Sequence, residues 1–185
     1  VTMPAQDDLD RQMIQFVEQE LIMAWRQATS DFRTRVTQAG GDLHEPVPAE
    51  DRVISPSDFG FHNAICREDD TAAFIDFEYA GWDDPAKLIC DFFTQVAVPV
   101  PAEHLAMFME VFTGCLQDAA AVRQRVAWLL PLYRIKWCCL SLNAFLPVAA
   151  NRRKFAMSQG DTTEHRSRQL AQARDLLTAH RRVDE

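Results

Sequence analysis

Glycine is scarce in this sequence, and the glycines present do not form a phosphate-binding loop. Only six of the 185 residues are glycine, and none of them falls in a G-x-G-x-x-G pattern. The glycine-rich loops that cradle nucleotide phosphates through backbone amides are therefore missing from this chain. Internal repeats and low-complexity segments are missing as well, so we expect ordinary globular folding along the chain.

The cysteines do not pair into a metal-binding or redox motif. The sequence has five, with no Cys-x-x-Cys spacing and no histidines arranged as in zinc sites: Cys66, Cys90, Cys115, Cys138 and Cys139. An odd number at scattered positions favours reduced thiols over a disulfide framework. Together with the lack of a signal peptide, reduced thiols predict a cytoplasmic protein.

Basic residues are outnumbered by acidic ones, which argues against nucleic acid as a partner. The chain has 19 lysines and arginines against 27 aspartates and glutamates, a formal charge of −8. Contacts to nucleic-acid phosphates are made chiefly by clustered lysine and arginine, so we expect no such interface. The negative charge favours a cationic small molecule, and it also explains solubility without any ligand.

No membrane interaction is expected either. The longest apolar tract, residues 126–150, carries Arg134 and Lys136 near its middle and Pro131 and Pro147 toward its ends. A buried core helix fits this tract better than a membrane span. With 48% apolar and 25% charged residues, the chain has the composition of a folded soluble protein, and its length suits one domain.

Helical periodicity dominates both ends of the chain. Aspartates at positions 7, 8 and 10 precede apolar residues at three- and four-residue intervals, which predicts an amphipathic helix that ends near Gly40. The Thr29–Ser30 pair marks a candidate break in it. Near the other end, Asp161 is predicted to cap the last helix, with Glu164 closing a capping box.

Further helices are predicted between these ends. Asp84 followed by Pro85 is typical of a helix start, with proline as the first helical residue. Asp91 falls among the apolar positions of this helix, either buried with partners or facing solvent. Three helical segments follow, and Pro131 either kinks one of them or opens a new one.

Residues 55–76 carry the candidate chemistry. Two short apolar runs flank the turn-prone segment 68–70, which predicts a β-hairpin that brings Asn63 and Asp76 together. Asp58 lies just upstream in the same loop. Carboxylate and amide oxygens are the ligands that Mg²⁺ prefers, together with water and substrate phosphate, so the three residues predict a magnesium-dependent site.

The order of these residues resembles the catalytic segment of the aminoglycoside phosphotransferase family, which has the protein-kinase fold. Kinase-like enzymes carry Asp-x-x-x-x-Asn in the catalytic loop and a later aspartate in a DFG-like triplet. Here these places are taken by Asp58-Phe-Gly-Phe-His-Asn63 and by Ile75-Asp76-Phe77-Glu78. The resemblance implies that Asp58 is the base that orients or deprotonates a substrate hydroxyl, and that Asn63 and Asp76 hold Mg²⁺.

The resemblance covers only the C-terminal lobe of the family. The nucleotide lobe should supply a sheet and a strand lysine before the catalytic loop, but the first lysine here, Lys87, follows Asp76. We expect a mainly helical α+β fold: one kinase-like C-terminal lobe, residues 1–185, with a small β-hairpin carrying the catalytic loop. Its implied reaction is ATP-dependent phosphorylation of a small hydroxylated molecule. The start at Val1 fits an excised domain, which alone should transfer phosphate slowly or not at all.

Two departures from the family's spelling leave other functions open. The family usually has His-Gly-Asp where this chain has Pro56-Ser57-Asp58. The later triplet ends in Glu78, an ending that is common in the small-molecule branch, where the protein kinases have glycine. A degenerate kinase-like domain that binds a ligand without catalysis is one alternative. A metal-dependent hydrolase that uses Asp58, His62 and Asp76 is another.

Overall fold

The structure is a computed structural model that describes residues 4–146 and 159–181, with side chains in the last segment from 163 to 178. It is mainly helical, with 64% of its residues in helices, and has two small antiparallel strand pairs. The expected mainly helical α+β class is therefore confirmed. The chain forms two compact units, one of Asp31–Tyr133 and one of Val1–Ser30 with Arg134–Glu185.

The N-terminal helical segment is continuous. Helix α1, Asp8–Phe16, leads through a π-helical turn, Val17–Leu21, into α2, Ile22–Gln38. The prediction of a break at Thr29–Ser30 is wrong, because the Thr29 hydroxyl bonds to the Trp25 carbonyl at 2.7 Å and leaves the helix intact. The irregularity lies earlier, where the Ile22 N–H bonds to the Val17 carbonyl in the wider π pattern.

The unit formed by the chain ends has a core of helix-borne apolar side chains. Its buried residues include Phe16, Ile135, Cys138, Leu170 and Leu177. Three elements supply them: α1, the later part of α5, Ala119–Leu142, and the last helix, α6, Gln159–Arg181.

Both capping predictions can be compared with the helix starts. Asp84 accepts the N–H of Ala86 at 2.9 Å, and Pro85 begins helix α3, Pro85–Thr94, as predicted. Helix α6 begins at Gln159, before Asp161, so Asp161 is not its N-cap as predicted. The side chain of Asp161 lies outside the described residues.

The unit of residues 31–133 is built on α3, α4, Leu105–Thr113, and the first part of α5. Its buried core contains Ala86, Ile89, Cys90, Val122, Val126 and Leu130. Helix α5 continues through Pro131 without ending there. None of the helices in the described part of the chain combines the length and apolar character that a bilayer crossing requires.

Four short strands lie before α3 in the same unit. Strands β2, Ala64–Cys66, and β3, Ala72–Phe74, form the predicted antiparallel hairpin. Strands β1, Val53–Ser55, and β4, Gly81–Asp83, form a second antiparallel pair. This second pair was not predicted, since residues 78–85 have the composition of a loop. It brings the start of α3 beside the loop that follows β1.

Candidate functional site

The loop between β1 and β2 holds Asp58 in an irregular but well-bonded segment. Ser55, at the end of β1, is only 1% exposed, and its Oγ accepts the N–H of Ser57 at 3.1 Å. Ser57 has a φ of 70°, in the left-handed region that is uncommon for a residue with a Cβ. Such a conformation persists where the surrounding structure determines it, so the backbone is fixed just before Asp58.

Asn63 reaches back across this loop to Asp58. Its side-chain Nδ2 donates to the backbone carbonyl of Asp58 at 3.0 Å. Its backbone N–H donates to the Gly60 carbonyl, also at 3.0 Å, within the 3-10 turn Phe61–Asn63. Because Nδ2 is used in this way, Oδ1 is the side-chain atom of Asn63 that is left to accept a hydrogen bond or bind a cation.

The hairpin places Asp76 next to the backbone partner of Asn63. Ala64 opposes Phe74 in the strand register, and beyond them the Ile75 N–H donates to the Asn63 carbonyl at 2.8 Å. Asp76 follows with a φ of 63°, and its side chain is exposed. Among the described residues, no hydrogen bond or ion pair joins the Asp76 carboxylate to Asp58 or Asn63.

The imidazole of His62 folds back against the loop and contacts the Asp58 carboxylate. Its Nε2 is 3.2 Å from Oδ1 of Asp58, and its Nδ1 is buried without a hydrogen-bond partner among the described residues. A Cβ on Gly60 would lie 2.6 Å from this Nδ1 and 2.9 Å from Cγ of Gln95. Glycine at position 60 is thus what allows the imidazole to lie against the loop. Nδ1 is too enclosed to take a proton from a bound substrate.

A partly buried group of charged side chains contacts the loop. Asp91 is buried, at 2% exposure, and its Oδ2 is 3.2 Å from Nζ of Lys87. Lys87 also pairs with Asp83 at 2.8 Å. Of the two predicted positions for Asp91, the buried one is therefore present. Burial by itself lowers the pKa of Lys87, but the hydrogen bond to Asp83 and the charges of Asp91 and Asp83 outweigh it, so the pKa is raised.

Aromatic rings anchor the other side of the loop. Phe59 is next to Asp58. Its ring centroid lies 4.7 Å from the ring centroid of Phe74 on β3 and 4.8 Å from that of Phe92 on α3. Phe61 also contacts Phe92, at 5.2 Å. These offset and edge contacts fix the loop between the hairpin and α3.

The strands around the loop carry several exposed apolar side chains. Ile54 and Trp82 are cross-strand partners and are 64% and 68% exposed. Four other exposed apolar side chains lie on or next to the hairpin and β4: Ile65, Ile75, Phe77 and Tyr79. We call these six side chains the strand surface.

Comparisons with protein-family models, with curated proteins and with solved structures gave no match. The kinase-like resemblance consequently rests on residue order in the sequence.

The ligand set of the hydrolase alternative is not assembled. Among residues 4–146 and the described part of α6, no three side chains of histidine, cysteine, aspartate or glutamate are grouped to hold a metal ion. Asp58, His62 and Asp76 therefore do not form the site that this alternative needs. A magnesium site that uses Asp76 and the amide of Asn63 has fewer such ligands and does not require such a group.

A separate cleft in the same unit lies away from this loop. It is lined by residues 50–52, residues 116–118, Val122 and Arg125. Arg125 is engaged with Asp84, with Nε to Oδ2 and Nη2 to Oδ1 both at 3.1 Å. No residue of the loop 55–63 lines the cleft, so it does not belong to the candidate site.

Sequence reasoning missed the parts played by Gly60 and Lys87. The only local signal for Gly60 was a glycine two positions before a histidine, which does not reveal the lack of space above the imidazole. For Lys87, the local signal is Asp91 four positions later, a spacing typical of an exposed ion pair on a helix, while Asp83 lies before the helix begins. The burial of Asp91 could not be read from that spacing.

Proposed function

We propose that this chain is the C-terminal lobe of an ATP-dependent phosphotransferase that acts on a hydroxyl group of a small molecule. Asp58 would be the catalytic base, and Asn63 and Asp76 would hold Mg²⁺. The observation that carries the proposal is the pair of bonds around Asn63, whose side chain binds the Asp58 carbonyl while its own carbonyl binds the Ile75 N–H. The two bonds tie Asn63 to Asp58 and to Ile75, the residue directly before Asp76, which supports the roles that the family resemblance implies.

The carboxylate of Asp58 is suited to orient an incoming hydroxyl. Its side chain is 58% exposed, and within residues 4–146 and the described part of α6 only Oδ1 is engaged, by His62. Oδ2 is left to accept the hydrogen bond of a substrate hydroxyl. As the hydroxyl oxygen bonds to the γ-phosphorus of ATP, its proton passes to Asp58 and ADP leaves with the electrons of the broken P–O bond.

The donors around Asp76 fit magnesium. Oδ1 of Asn63 and the exposed carboxylate of Asp76 are hard oxygen ligands without a partner in the described residues, and one or two such ligands with phosphate oxygens are usual for this ion. When bound, Mg²⁺ neutralises charge on the transferring phosphate. The protein contributes by keeping the two proposed ligands, Asn63 and Asp76, at the same end of the hairpin.

A nucleotide-binding lobe is needed to complete the nucleotide site. The strand surface offers apolar area that such a lobe could bury. The described chain provides no glycine-rich cover and no lysine before Asp58. We therefore expect phosphate transfer from the intact protein and little from these 185 residues alone. The net charge of −8 makes cationic alcohols the first substrates to test.

The test is a phosphotransfer assay on the intact protein with ATP, Mg²⁺ and a panel of hydroxylated amines and sugars. Asp58→Ala should lower kcat by at least about a hundredfold, since a positioned base contributes on the order of 10² to 10⁴. Glu68→Ala removes an exposed acid in the hairpin turn and serves as the matched control. A rate in Asp58→Ala equal to that of Glu68→Ala would remove Asp58 as the base.

The contact of His62 with Asp58 favours one alternative, a kinase-like domain that binds without catalysis. When the imidazole is protonated, it forms an ion pair with the carboxylate that would otherwise serve as base. Such a domain would bind nucleotide or another ligand and show no turnover. Titrating Mg²⁺ and ATP into the intact protein by calorimetry, alongside the assay, separates binding without turnover from catalysis.

A further inference from the structure

Lys87 touches three oxygen atoms from two separate parts of the chain. Its Nζ lies 2.8 Å from Oδ2 of Asp83, at the end of β4, and 3.2 Å from Oδ2 of Asp91, one turn further along α3. It also donates to the backbone carbonyl of Ser57 at 3.4 Å, across thirty positions of sequence. The last contact reaches the loop one residue before Asp58.

The helix alone does not account for this arrangement. An exposed lysine with one acid four residues away on α3 would stabilise the helix modestly, and the pair would need no burial. Here the Asp91 side chain is 3% exposed and that of Lys87 is 24% exposed. Burying a carboxylate is unfavourable unless it is paired, so Asp91 keeps the ammonium group inside the protein, where it can meet the Ser57 carbonyl.

The contact of Lys87 with Ser57 adds to other hydrogen bonds that hold this residue in its uncommon backbone conformation. We call the bonds from Ser55 and Lys87 to the backbone of Ser57 the clamp. Ser57, at a φ of 70°, has its N–H bound by Oγ of Ser55 and its carbonyl bound by Lys87. The next carbonyl, that of Asp58, is bound by Asn63. The peptide groups on both sides of Ser57 are thus held, and their orientation sets the direction in which the Asp58 side chain leaves the chain.

We infer that Lys87 is a positioning residue for Asp58, which it serves by holding the Ser57 carbonyl, with buried Asp91 as its counter-charge. The first part of the inference, that Lys87 holds the loop, depends only on the observed contacts. The second part, that the held loop serves phosphate transfer, rests on the proposed function. The two can be tested separately.

Amide hydrogen exchange measured by NMR tests the first part in the 185-residue chain. Lys87→Met keeps most of the side-chain volume and removes the ammonium group, and the Ser57 amide should then exchange about tenfold faster. Lys136→Met is the matched control, because Lys136 is an exposed lysine of α5 and belongs to the other unit of the chain. Exchange at the buried Val126 amide reports whether the whole unit has loosened. Lys87→Arg keeps a positive donor and should stay within about threefold of the wild type.

Equal exchange rates of the Ser57 amide in Lys87→Met and Lys136→Met would overturn the inference. It would also be overturned if the Ser57 amide exchanged as fast in Lys87→Arg as in Lys87→Met. In the intact protein, Lys87→Met should lower kcat about ten- to a hundredfold and change KM for the hydroxyl substrate less than threefold. If Lys87→Met has the kcat of the wild type while Asp58→Ala is inactive, Lys87 does not position Asp58. Faster loop exchange in a protein that transfers no phosphate would support the clamp and refute the proposed function.

Discussion

The side chain of Asn63 and the backbone of Asp58 are joined by one hydrogen bond, with Nδ2 donating to the carbonyl at 3.0 Å. The bond uses the nitrogen of the amide and leaves the oxygen for another partner. Asn63 can therefore fix the loop through one atom and hold a cation through the other. The two roles are separable by substitution, because aspartate retains the oxygen and loses the donor.

We expect Asn63→Asp and Asn63→Ala to differ in metal affinity while sharing a looser loop. Both lose the bond to the Asp58 carbonyl, so each should lower the free energy of unfolding by about 1 kcal/mol. Asn63→Asp should still bind Mn²⁺, used as a magnesium probe, whereas Asn63→Ala should bind it at least about tenfold more weakly. Calorimetry with Mn²⁺ and urea unfolding measure the two effects. Equal Mn²⁺ affinity in both variants would show that Oδ1 is not a ligand.

Gly60 should be intolerant of any side chain, although its backbone is extended and could accommodate one. Gly60→Ala places a methyl group 2.6 Å from Nδ1 of His62 and 2.9 Å from Cγ of Gln95, so these side chains or the loop must shift. We expect a loss of about 1–3 kcal/mol in the free energy of unfolding, the usual cost of overpacking. Gly81→Ala is the control, since nothing lies within 4 Å of its added Cβ, and it should stay within about 0.5 kcal/mol. Matching urea midpoints for the two variants would refute this account of Gly60.

The parts of this site that sequence could predict are those fixed by nearby residues. The β2–β3 hairpin and the Asp84 cap each depend on a few adjacent positions, and both are present. The pairing of β1 with β4 and the contact of Lys87 with Ser57 join segments far apart in sequence, where periodicity carries no information. The π-helical turn at Val17–Leu21 was missed for another reason, since its apolar spacing fits an ordinary helix.

In the unit formed by the chain ends, Arg166 should matter more for stability than its position on a polar helix face suggests. It contacts Asp7 and lies 3.3 Å from Asp10, a residue that is only 4% exposed. Arg166→Met leaves the Asp10 carboxylate with the Gln6 N–H at 2.9 Å, and we expect a loss of about 1–3 kcal/mol. Arg11→Met breaks an exposed pair with Asp8 and should cost less than about 0.5 kcal/mol. Thermal unfolding of the two variants side by side checks the difference, and equal losses would contradict it.

The contribution of Lys87 to stability should disappear at high pH. Its pKa in the folded protein is raised above the ordinary 10.5, because bonds and charges from Asp83 and Asp91 outweigh burial. A group with a raised folded pKa stabilises fully below its unfolded pKa, and this stabilisation is lost as pH rises through the folded pKa.

Lys87→Met should therefore be less stable than the wild type by a constant amount, about 1–3 kcal/mol, between about pH 7 and 10. Above pH 10.5 the gap should narrow, because the wild type loses the charge that the variant never had. Tyr133, which interacts with Asp91 and whose pKa is raised by burial, is present in both proteins, so comparing them reduces its effect. Urea unfolding followed by circular dichroism at several pH values measures the gap, with Lys136→Met as the control. A gap that stays constant or widens above pH 10.5 would show that the ammonium charge of Lys87 is not what stabilises this part of the protein.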